Sequence, residues 1–221
     1  MRAVAMDKGR IGREHPPTKG SGVMQLIGML DSPYVRRVAV SLRVLALPYN
    51  HDQISVFRQF DKFSSINPVV KAPTFVTDDG VVLMDSSLIL EHIAHLAPRS
   101  LMPADRTAHE TALRLIGLAL AACDKGVAIV YEHNQRPAEK RHQPWLDRVR
   151  GQLLAALGEL EREVPPGWVT GEELMQPQIT CAVMWRFLAH NLDDMAADFP
   201  NLAALSARAE KLAPFAETNF S

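Results

Sequence analysis

Apolar and polar positions alternate in short runs through the first half of the chain, after an opening segment without periodicity. Residues 1–23 are rich in Gly, Pro and charge, and we interpret them as a flexible N-terminal extension. Beyond them, the pattern predicts a strand over 26–30, a helix over 32–47 and a mixed strand over 49–55. The first half therefore begins as a β-α-β unit.

Turn residues divide the next part of the chain. After a connector, short strands are predicted over 74–77 and 81–84, and the Asp-Asp-Gly run at 78–80 is typical of a hairpin turn. A helix over 85–96 follows the hairpin. Periodicity alone thus predicts β-α-β, a connector and β-β-α, which is a small mixed α/β layer.

The second half has a helical pattern and no internal repeats. The third of its predicted helices is apolar nearly all round, which is typical of a helix at the centre of a bundle. We therefore predict an α/β domain over 24–98 and an all-helical (all-α) domain over 104–221. The helices of this second domain are predicted over 105–133, 144–163, 179–192 and 201–212.

Charge and hydropathy exclude two classes of partner. The chain of 221 residues carries 24 Lys and Arg against 25 Asp and Glu, so it lacks the basic surface that binding to nucleic acid requires. No apolar run is long enough for a bilayer, and the N-terminus has no apolar signal core. We therefore expect a cytoplasmic protein that binds neither nucleic acid nor membranes.

The sequence also lacks the spacing of a metal site. Cys123 and Cys181 lie in apolar helical stretches and form no CxxC pair, while His92 and His95 have no evident third ligand. Small buried thiols and packing histidines are the simpler interpretation of these residues. We therefore predict no metal and a reducing compartment.

Residues that carry chemistry collect at one predicted edge of the α/β layer. Ser32 begins the first helix, Asp85 and Ser86 begin the helix after the hairpin, and Ala72-Pro73 precedes a strand. Helix N-termini attract anions through free N–H groups and the helix dipole. A cis bond between Ala72 and Pro73 would expose the backbone of Ala72 to an extended peptide. Together these residues indicate a site for a small acidic peptide.

In these segments the chain resembles the glutathione S-transferase family. The resemblance covers 24–215 and is carried in order by 32–37 (SPYVRR), 67–73 (NPVVKAP) and 85–87 (DSS). The run at 135–137 (QRP) looks like a bacterial branch of the family. The resemblance implies a cytoplasmic homodimer with a thioredoxin-like N-terminal domain of order β-α-β-α-β-β-α and a helical C-terminal domain. This order has one helix more than periodicity predicts.

In a member of that family, Ser32 would hold the sulfur of glutathione as a thiolate. A free thiol has a pKa of about 8.5, and lowering it by about two units needs ~2.7 kcal/mol. One charge-assisted hydrogen bond supplies about 1.5–3 kcal/mol, and a helix N-terminus adds about 0.3–1 kcal/mol. A serine at a helix start is therefore sufficient, and the remaining task is to hold the thiolate beside an electrophile.

The resemblance also assigns the residues that bind glutathione. Ala72, before Pro73, would pair its backbone with the cysteinyl part. Asp85 would take the γ-glutamyl ammonium, and Ser86 with its helix N-terminus would take the γ-glutamyl carboxylate. Lys71 resembles the lysine that some serine-type members aim at the glycyl carboxylate. The charges of ligand and site then match.

The sequence departs from the family pattern in two places. Val70 and Ala72 stand where relatives often have Gly and then Val or Ile, but the contact of Ala72 is mostly through its backbone, so binding is expected to survive. The Ser/Thr-x-x-Asp capping box before the buried helix is replaced by the run at 175–178 (MQPQ). Losing such a cap costs about 1 kcal/mol.

The implied activity is conjugation of glutathione to a hydrophobic electrophile, as in detoxification. Tyr34 and Tyr131 are candidates for the electrophile pocket between the domains. Two alternatives remain open, a glutathione-dependent peroxidase and a binding module that kept the fold without turnover. Disulfide reduction is disfavoured because it needs a cysteine where Ser32 stands.

Overall fold

The computed structural model describes residues 22–165, 168, 174–192 and 197–220. The predicted extension over 1–23 therefore lies almost entirely outside the described residues. A four-stranded mixed sheet follows it, made of β1 (Met24–Ile27), β2 (Tyr49–Asp52), β3 (Thr74–Val76) and β4 (Val82–Met84). The strand order is β2-β1-β3-β4; β1 runs parallel to β2 and antiparallel to β3, and β3 runs antiparallel to β4.

Helices cover both faces of the sheet. Side chains of neighbouring residues in β1 point to opposite faces, so Leu26 packs in the large core while Ile27 packs with Phe63 in a smaller one. The helices of this half are α1 (Pro33–Val44), α2 (Phe60–Ile66) and α3 (Ser86–Leu96).

The resulting order, β-α-β-α-β-β-α, confirms the thioredoxin-like fold. Periodicity alone predicted a connector where α2 lies. This helix has seven residues, and Phe63 is the only one of them that is buried, which is too little to produce a recognisable apolar stripe.

The second half is helical, as predicted, with α6 at its centre. Twelve of the sixteen residues in α6 are buried, which explains its lack of a polar face. A single 3-10 turn separates the first two helices of this half. The helices are α4 (Arg106–Gln135), α5 (Gln143–Glu163), α6 (Gln176–Asn191), α7 (Pro200–Ala209) and α8 (Ala213–Ala216), and the turn is Ala138–Lys140.

Several predicted boundaries were wrong by two or three residues, and in the first half of the chain the reasons are local. The first strand begins at Met24, which pairs with Tyr49, and it ends before Gly28, whose φ of 138° breaks the strand. The first helix ends at Val44 because Ala46 turns to a positive φ of 52°. The second strand stops at Asp52, before the backbone turns toward α2.

The start of α6 keeps one half of the capping box, while the N-cap residue Met175 makes no side-chain hydrogen bond, as the sequence predicted. The prediction placed this start at 179, but the helix begins at Gln176, with Pro177 in its first turn. The side-chain oxygen of Gln178 accepts the backbone N–H of Met175 at 2.8 Å. Glutamine therefore performs the reciprocal half of the capping box without the Ser or Thr of the family pattern.

Helix α1 joins the two halves of the molecule. On one side, the Ser41 hydroxyl donates to Gln176 Oε1 at 3.1 Å, which ties α1 to the start of α6. On another, the Arg36 side chain is fully buried and forms a two-pronged pair with Glu210, with both N···O distances 2.7 Å.

The same guanidinium of Arg36 holds the C-terminal segment. Its Nε donates to the carbonyl of Thr218 at 2.9 Å, and Nη2 donates to the carbonyl of Phe215 at 3.1 Å. The group also lies over the rings of Phe215 and Phe220. One buried cation therefore satisfies several acceptors of a segment that has little secondary structure of its own.

Helices α4 and α6 approach closely at a glycine. A Cβ atom added to Gly126 would lie 2.4 Å from Leu188 Cδ2, well inside van der Waals contact. The absence of a side chain at Gly126 therefore allows the two helices to reach this separation.

No helix in the described part of the chain combines the length and the apolar composition that crossing a bilayer requires. Within the same residues, His, Cys, Asp and Glu side chains form no group of three that could hold a metal ion. The ring of His92 lies edge-on to Phe75, and His95 Nδ1 lies 2.8 Å from the carbonyl of Glu91.

Candidate functional site

A cavity of about 620 Å³ lies where the first half of the molecule meets α4 and α6. The β1–α1 loop, the segment after β2, the loop before β3 and the start of α3 form one wall, and α4 with α6 forms the other. All the sequence-predicted site residues lie in its lining, namely Ser32, Tyr34, Lys71, Ala72, Pro73, Asp85, Ser86 and Tyr131.

Ser32 caps the N-terminus of α1 with its hydroxyl pointing at the cavity lining. Its Oγ accepts the backbone N–H of Val35 at a long 3.4 Å, and Pro33 occupies the first helical position, where no N–H is needed. Among the described residues the Ser32 hydroxyl donates to no acceptor. Its proton is therefore available to a ligand atom.

The loop before β3 presents backbone rather than side chain. The bond between Ala72 and Pro73 is cis, and neither the N–H nor the C=O of Ala72 has a backbone partner among the described residues. Thr74 Oγ1 donates to the Lys71 carbonyl at 2.8 Å and receives Asn67 Nδ2 at 2.8 Å, which fixes the loop. Two free backbone groups of Ala72 therefore remain for an extended ligand.

The departure at Val70 has a visible consequence in the same loop. Val70 has a φ of 53°, a conformation that a β-branched residue rarely adopts and that glycine adopts freely. Its N–H donates to the Asn67 carbonyl at 2.9 Å, and its side chain packs on the smaller core. Packing of the side chain therefore holds Val70 in a strained backbone conformation, which the glycine of the family pattern adopts without strain.

Asp85 also adopts a strained backbone, with φ 71° and ψ 122°. Its side chain accepts the Ser87 N–H at 2.9 Å and its carbonyl accepts the Ile89 N–H at 3.0 Å, so the start of α3 holds it in place. Lys71 Nζ lies 4.0 Å from Asp85 Oδ2. A negative and a positive group thus stand together at this end of the cavity.

A buried guanidinium lies directly behind the start of α3. Arg37 is 3% exposed, and its Nη1 donates to Ser86 Oγ at 3.1 Å and to Ser87 Oγ at 3.2 Å. Its Nε has no hydrogen-bond partner in the described part of the chain. Burial lowers the pKa of Arg37 to about 10, and the negative charge of Asp85 opposes that shift. The group is therefore charged at neutral pH and adds to the positive end of α3.

Tyr34 makes a bond across the cavity wall to the second half of the molecule. Its hydroxyl donates to a carboxylate oxygen of Asp124 in α4. Burial raises the pKa of Tyr34, and the bond to Asp124 raises it further, because each favours the protonated phenol. The only proton of this hydroxyl is therefore already committed.

Tyr131 lies further along the same face of α4, 45% exposed. Its ring meets that of Phe57 edge-on, with centroids 5.4 Å apart, so this contact joins α4 to the segment after β2. Burial raises the pKa of Tyr131, and the nearby charge of Asp31 adds to the effect.

Sequence reasoning assigned no role to most of the other side chains in this lining. The spacing of the residues on α4 could have identified them from the sequence, because positions three, seven and ten residues after Asp124 lie on one face of a helix. This set comprises Asp31, Phe57, Arg58, Asp124, Val127, Val130, Asn134, Gln135, Phe187 and Asn191, together with Arg37 behind the wall.

Both cysteines lie away from the cavity lining. Cys123 and Cys181 are free and buried, and burial raises the pKa of Cys123 and raises that of Cys181 to about 12. A buried thiol with a raised pKa is a poor nucleophile, so neither residue supplies a redox thiol to this site.

Comparison with known proteins agrees with this geometry. Residues 26–101 match the family described as "Glutathione S-transferase, N-terminal domain". An uncharacterised GST-like protein of Escherichia coli K12, YibF, is 28% identical over 194 residues, which is 82% of this chain and 91% of that protein.

Two solved structures are similar over nearly the whole chain. A glutathione S-transferase from Methylobacterium radiotolerans, in complex with glutathione sulfonate, has a TM-score of 0.79 at 29% identity, covering 88% of this chain and 93% of that one. A glutathione S-transferase from Methylobacillus flagellatus with glutathione bound has a TM-score of 0.79 at 26% identity, covering 90% and 100%.

Proposed function

Because this chain belongs to the glutathione S-transferase family, we propose that it binds glutathione in the cavity and conjugates its thiolate to an electrophile. The observation that carries the proposal is the uncommitted hydroxyl of Ser32 at the N-terminus of α1, beside a cavity whose walls match the ends of a charged tripeptide. Similar structures with glutathione or glutathione sulfonate bound support this choice of ligand.

Of the two hydroxyls at the start of α1, Ser32 is the better donor to sulfur. The Tyr34 hydroxyl donates its proton to Asp124. That hydrogen bond to a charged group would have to break before the phenol could donate to a thiolate. The Ser32 proton has no competing acceptor among the described residues. We therefore assign the thiolate to Ser32 and leave Tyr34 to the electrophile side.

The remaining contacts follow from charge and from free backbone groups. Asp85 takes the γ-glutamyl ammonium, and Ser86 with the start of α3 takes the γ-glutamyl carboxylate. The free N–H and C=O of Ala72, held by cis Pro73, pair with the cysteinyl backbone. Lys71 takes the glycyl carboxylate. These roles use opposite charges at the two ends of the peptide.

We propose that the protein is a homodimer and that it is located in the cytoplasm. Exposed apolar side chains on the first half of the molecule, among them Phe60 and Leu88, are compatible with a surface that a second copy covers.

The test of the proposed function compares binding with turnover. Isothermal titration calorimetry with glutathione should give saturable binding, and chlorodinitrobenzene with glutathione should give the thioether faster than the uncatalysed reaction. Oxidation of glutathione by cumene hydroperoxide without thioether formation would favour the peroxidase. Binding without either reaction would favour the non-catalytic module, and absence of binding would contradict the proposal.

Replacing Arg37 with methionine is expected to raise the KM for glutathione by about tenfold or more, because a hydrogen-bonded charge behind a carboxylate site contributes about 1.5–3 kcal/mol. The change removes the donor to Ser86 and the positive charge while keeping most of the buried volume. The turnover number at saturating glutathione should change much less, since Arg37 does not line the cavity near Ser32.

A glutathione analogue separates this role from a purely structural one. The peptide 4-aminobutyryl-Cys-Gly lacks the γ-glutamyl α-carboxylate but keeps the amine. The wild type should prefer glutathione over this analogue, and the Arg37→Met variant should lose most of that preference, while Arg37→Lys retains part of it. An equal rise in KM for both peptides would show that Arg37 only supports the fold.

A further inference from the structure

The charges of the cavity divide unevenly between its two ends. Five charged residues line it, namely Asp31, Arg58, Lys71, Asp85 and Asp124. Lys71 and Asp85 lie 4.0 Å apart, and the proposed function assigns both to charged groups of glutathione. The other three residues take part in no ion pair within the described part of the chain.

Arg58 is the second cation of the cavity lining. The backbone N–H of Arg58 donates to Ser55 Oγ at 3.2 Å, and the neighbouring Val56 packs against the same small core as Val70 and Ala72. This packing places the segment after β2 beside the loop that carries Lys71. Glutathione carries two carboxylates, so the proposed function has a use for both cations of the lining, Arg58 and Lys71.

Two carboxylates then remain for whatever binds beyond the sulfur. Asp124 lies in the cavity lining on α4 and, among the described residues, accepts only the Tyr34 hydroxyl, so it has acceptor capacity left for a ligand. Asp31 directly precedes Ser32 and is near enough to Tyr131 to act on that phenol. One carboxylate adjoins Ser32 and the other accepts the Tyr34 hydroxyl, so the lining near the start of α1 carries two negative charges.

Aromatic rings and amides complete this wall. Tyr131 and Phe57 form an edge-to-face pair at the cavity, and a ring face next to carboxylates attracts cations. The amides of Asn134 and Gln135 line the same side. Against these polar groups the second half of the molecule offers Val127, Val130 and Phe187. This side of the cavity therefore combines apolar surface with hydrogen-bonding groups.

We infer that the electrophile carries a positively charged group, which Asp31 and Asp124 bind while the reactive carbon lies beside the glutathione sulfur. The inference rests on the proposed function and replaces the sequence-based expectation of a wholly hydrophobic electrophile. Both carboxylates repel an anionic electrophile and attract a cationic one, so charge determines the preference.

Three chlorodinitrophenyl compounds of matched ring chemistry test the inference. They are chlorodinitrobenzoate, its neutral primary amide and its trimethylammonioethyl amide, which is permanently cationic. In each, the thiolate sulfur forms a bond to the ring carbon, and chloride leaves with the electron pair of the broken C–Cl bond. The kcat/KM for each compound is divided by the rate constant of its uncatalysed reaction with glutathione, which removes differences in ring activation.

The wild type should favour the cationic compound over the anionic one by about fivefold or more, the size expected from one or two partly screened charge contacts. Asp124→Asn and Asp31→Asn should each reduce this ratio about two- to threefold, and the double variant should bring it close to one. Asp79→Asn, in the exposed hairpin turn away from the cavity, is the matched control and should keep the wild-type ratio.

Tyr34→Phe separates charge from the phenol. It removes the bond to Asp124 while leaving the carboxylate, so the cation preference should persist. Turnover with no charge preference, or a preference that survives the double Asp variant, would overturn this inference and leave the proposed function standing. No turnover of any of the three compounds would overturn both.

Discussion

Ser32→Ala is expected to lower kcat/KM for conjugation by roughly 10- to 100-fold, because the variant loses a charge-assisted hydrogen bond of about 1.5–3 kcal/mol to the thiolate. The Ser32 hydroxyl has a proton to give, since it donates to no acceptor among the described residues. Losing it raises the pKa of bound glutathione by about one to two units. Because the thiolate is the reacting form, the rise of activity with pH should move upward by the same amount, as followed by thiolate absorbance and by the pH profile.

Ser32→Ala and Ser32→Gly together separate the loss of the hydroxyl from the loss of the helix cap. Alanine at position 32 also loses the cap of α1, which costs about 1 kcal/mol of stability, whereas glycine is a tolerated cap and costs only a few tenths. Both variants lack the hydroxyl and should lose activity equally, while Ser32→Thr should keep much of it. If Ser32→Gly retained wild-type activity, another group would have to hold the thiolate.

Arg36→Met should lower the free energy of unfolding by about 3 kcal/mol, the largest effect on stability that we expect from a single charge in this chain. The variant breaks the bidentate pair with Glu210, whose carboxylate is 22% exposed, and leaves the carbonyls of Phe215 and Thr218 without their donor. Urea unfolding followed by circular dichroism measures the change, and a thermal midpoint lower by about 6–12 °C should accompany it.

Arg43→Met is the matched control for this comparison. Arg43 also pairs with a glutamate of the C-terminal segment, Glu217, at 3.4 Å, but both side chains are about half exposed. Such a pair contributes about 0–1 kcal/mol, so the control should be close to the wild type. Equal destabilisation by Arg36→Met and Arg43→Met would show that burial of the Arg36 contacts does not matter.

Local chemistry in the sequence was sufficient to predict much of this fold and the first half of the site. Ser32 and Asp85 were recognisable because cap residues act within three positions of themselves, and both caps are present. The hairpin turn ends in Gly80, which has the positive φ such a turn requires. The family resemblance added α2, which has too few buried residues for periodicity to detect.

Contacts between distant parts of the chain could not be predicted in this way. Tyr34 and Asp124 are 90 residues apart, and Arg36 and Glu210 are 174 apart. Nothing near Arg36 or Arg37 distinguishes these two neighbours, yet one holds the C-terminus and the other supports Ser86. The partner of each side chain is decided by the packing of α1 against β1, α3, α6 and α8, which a one-dimensional pattern does not contain.

The close approach of α4 and α6 at Gly126 limits how this protein can diversify. A side chain there would meet Leu188 and Phe187, so substitution on that side of α4 requires the side chains of α6 to shift. The opposite side of α4 faces open space in the cavity, and its residues can be exchanged without moving a helix. New selectivity can therefore arise by substitution at positions such as Val127 and Tyr131, while the helical framework that carries them stays unchanged.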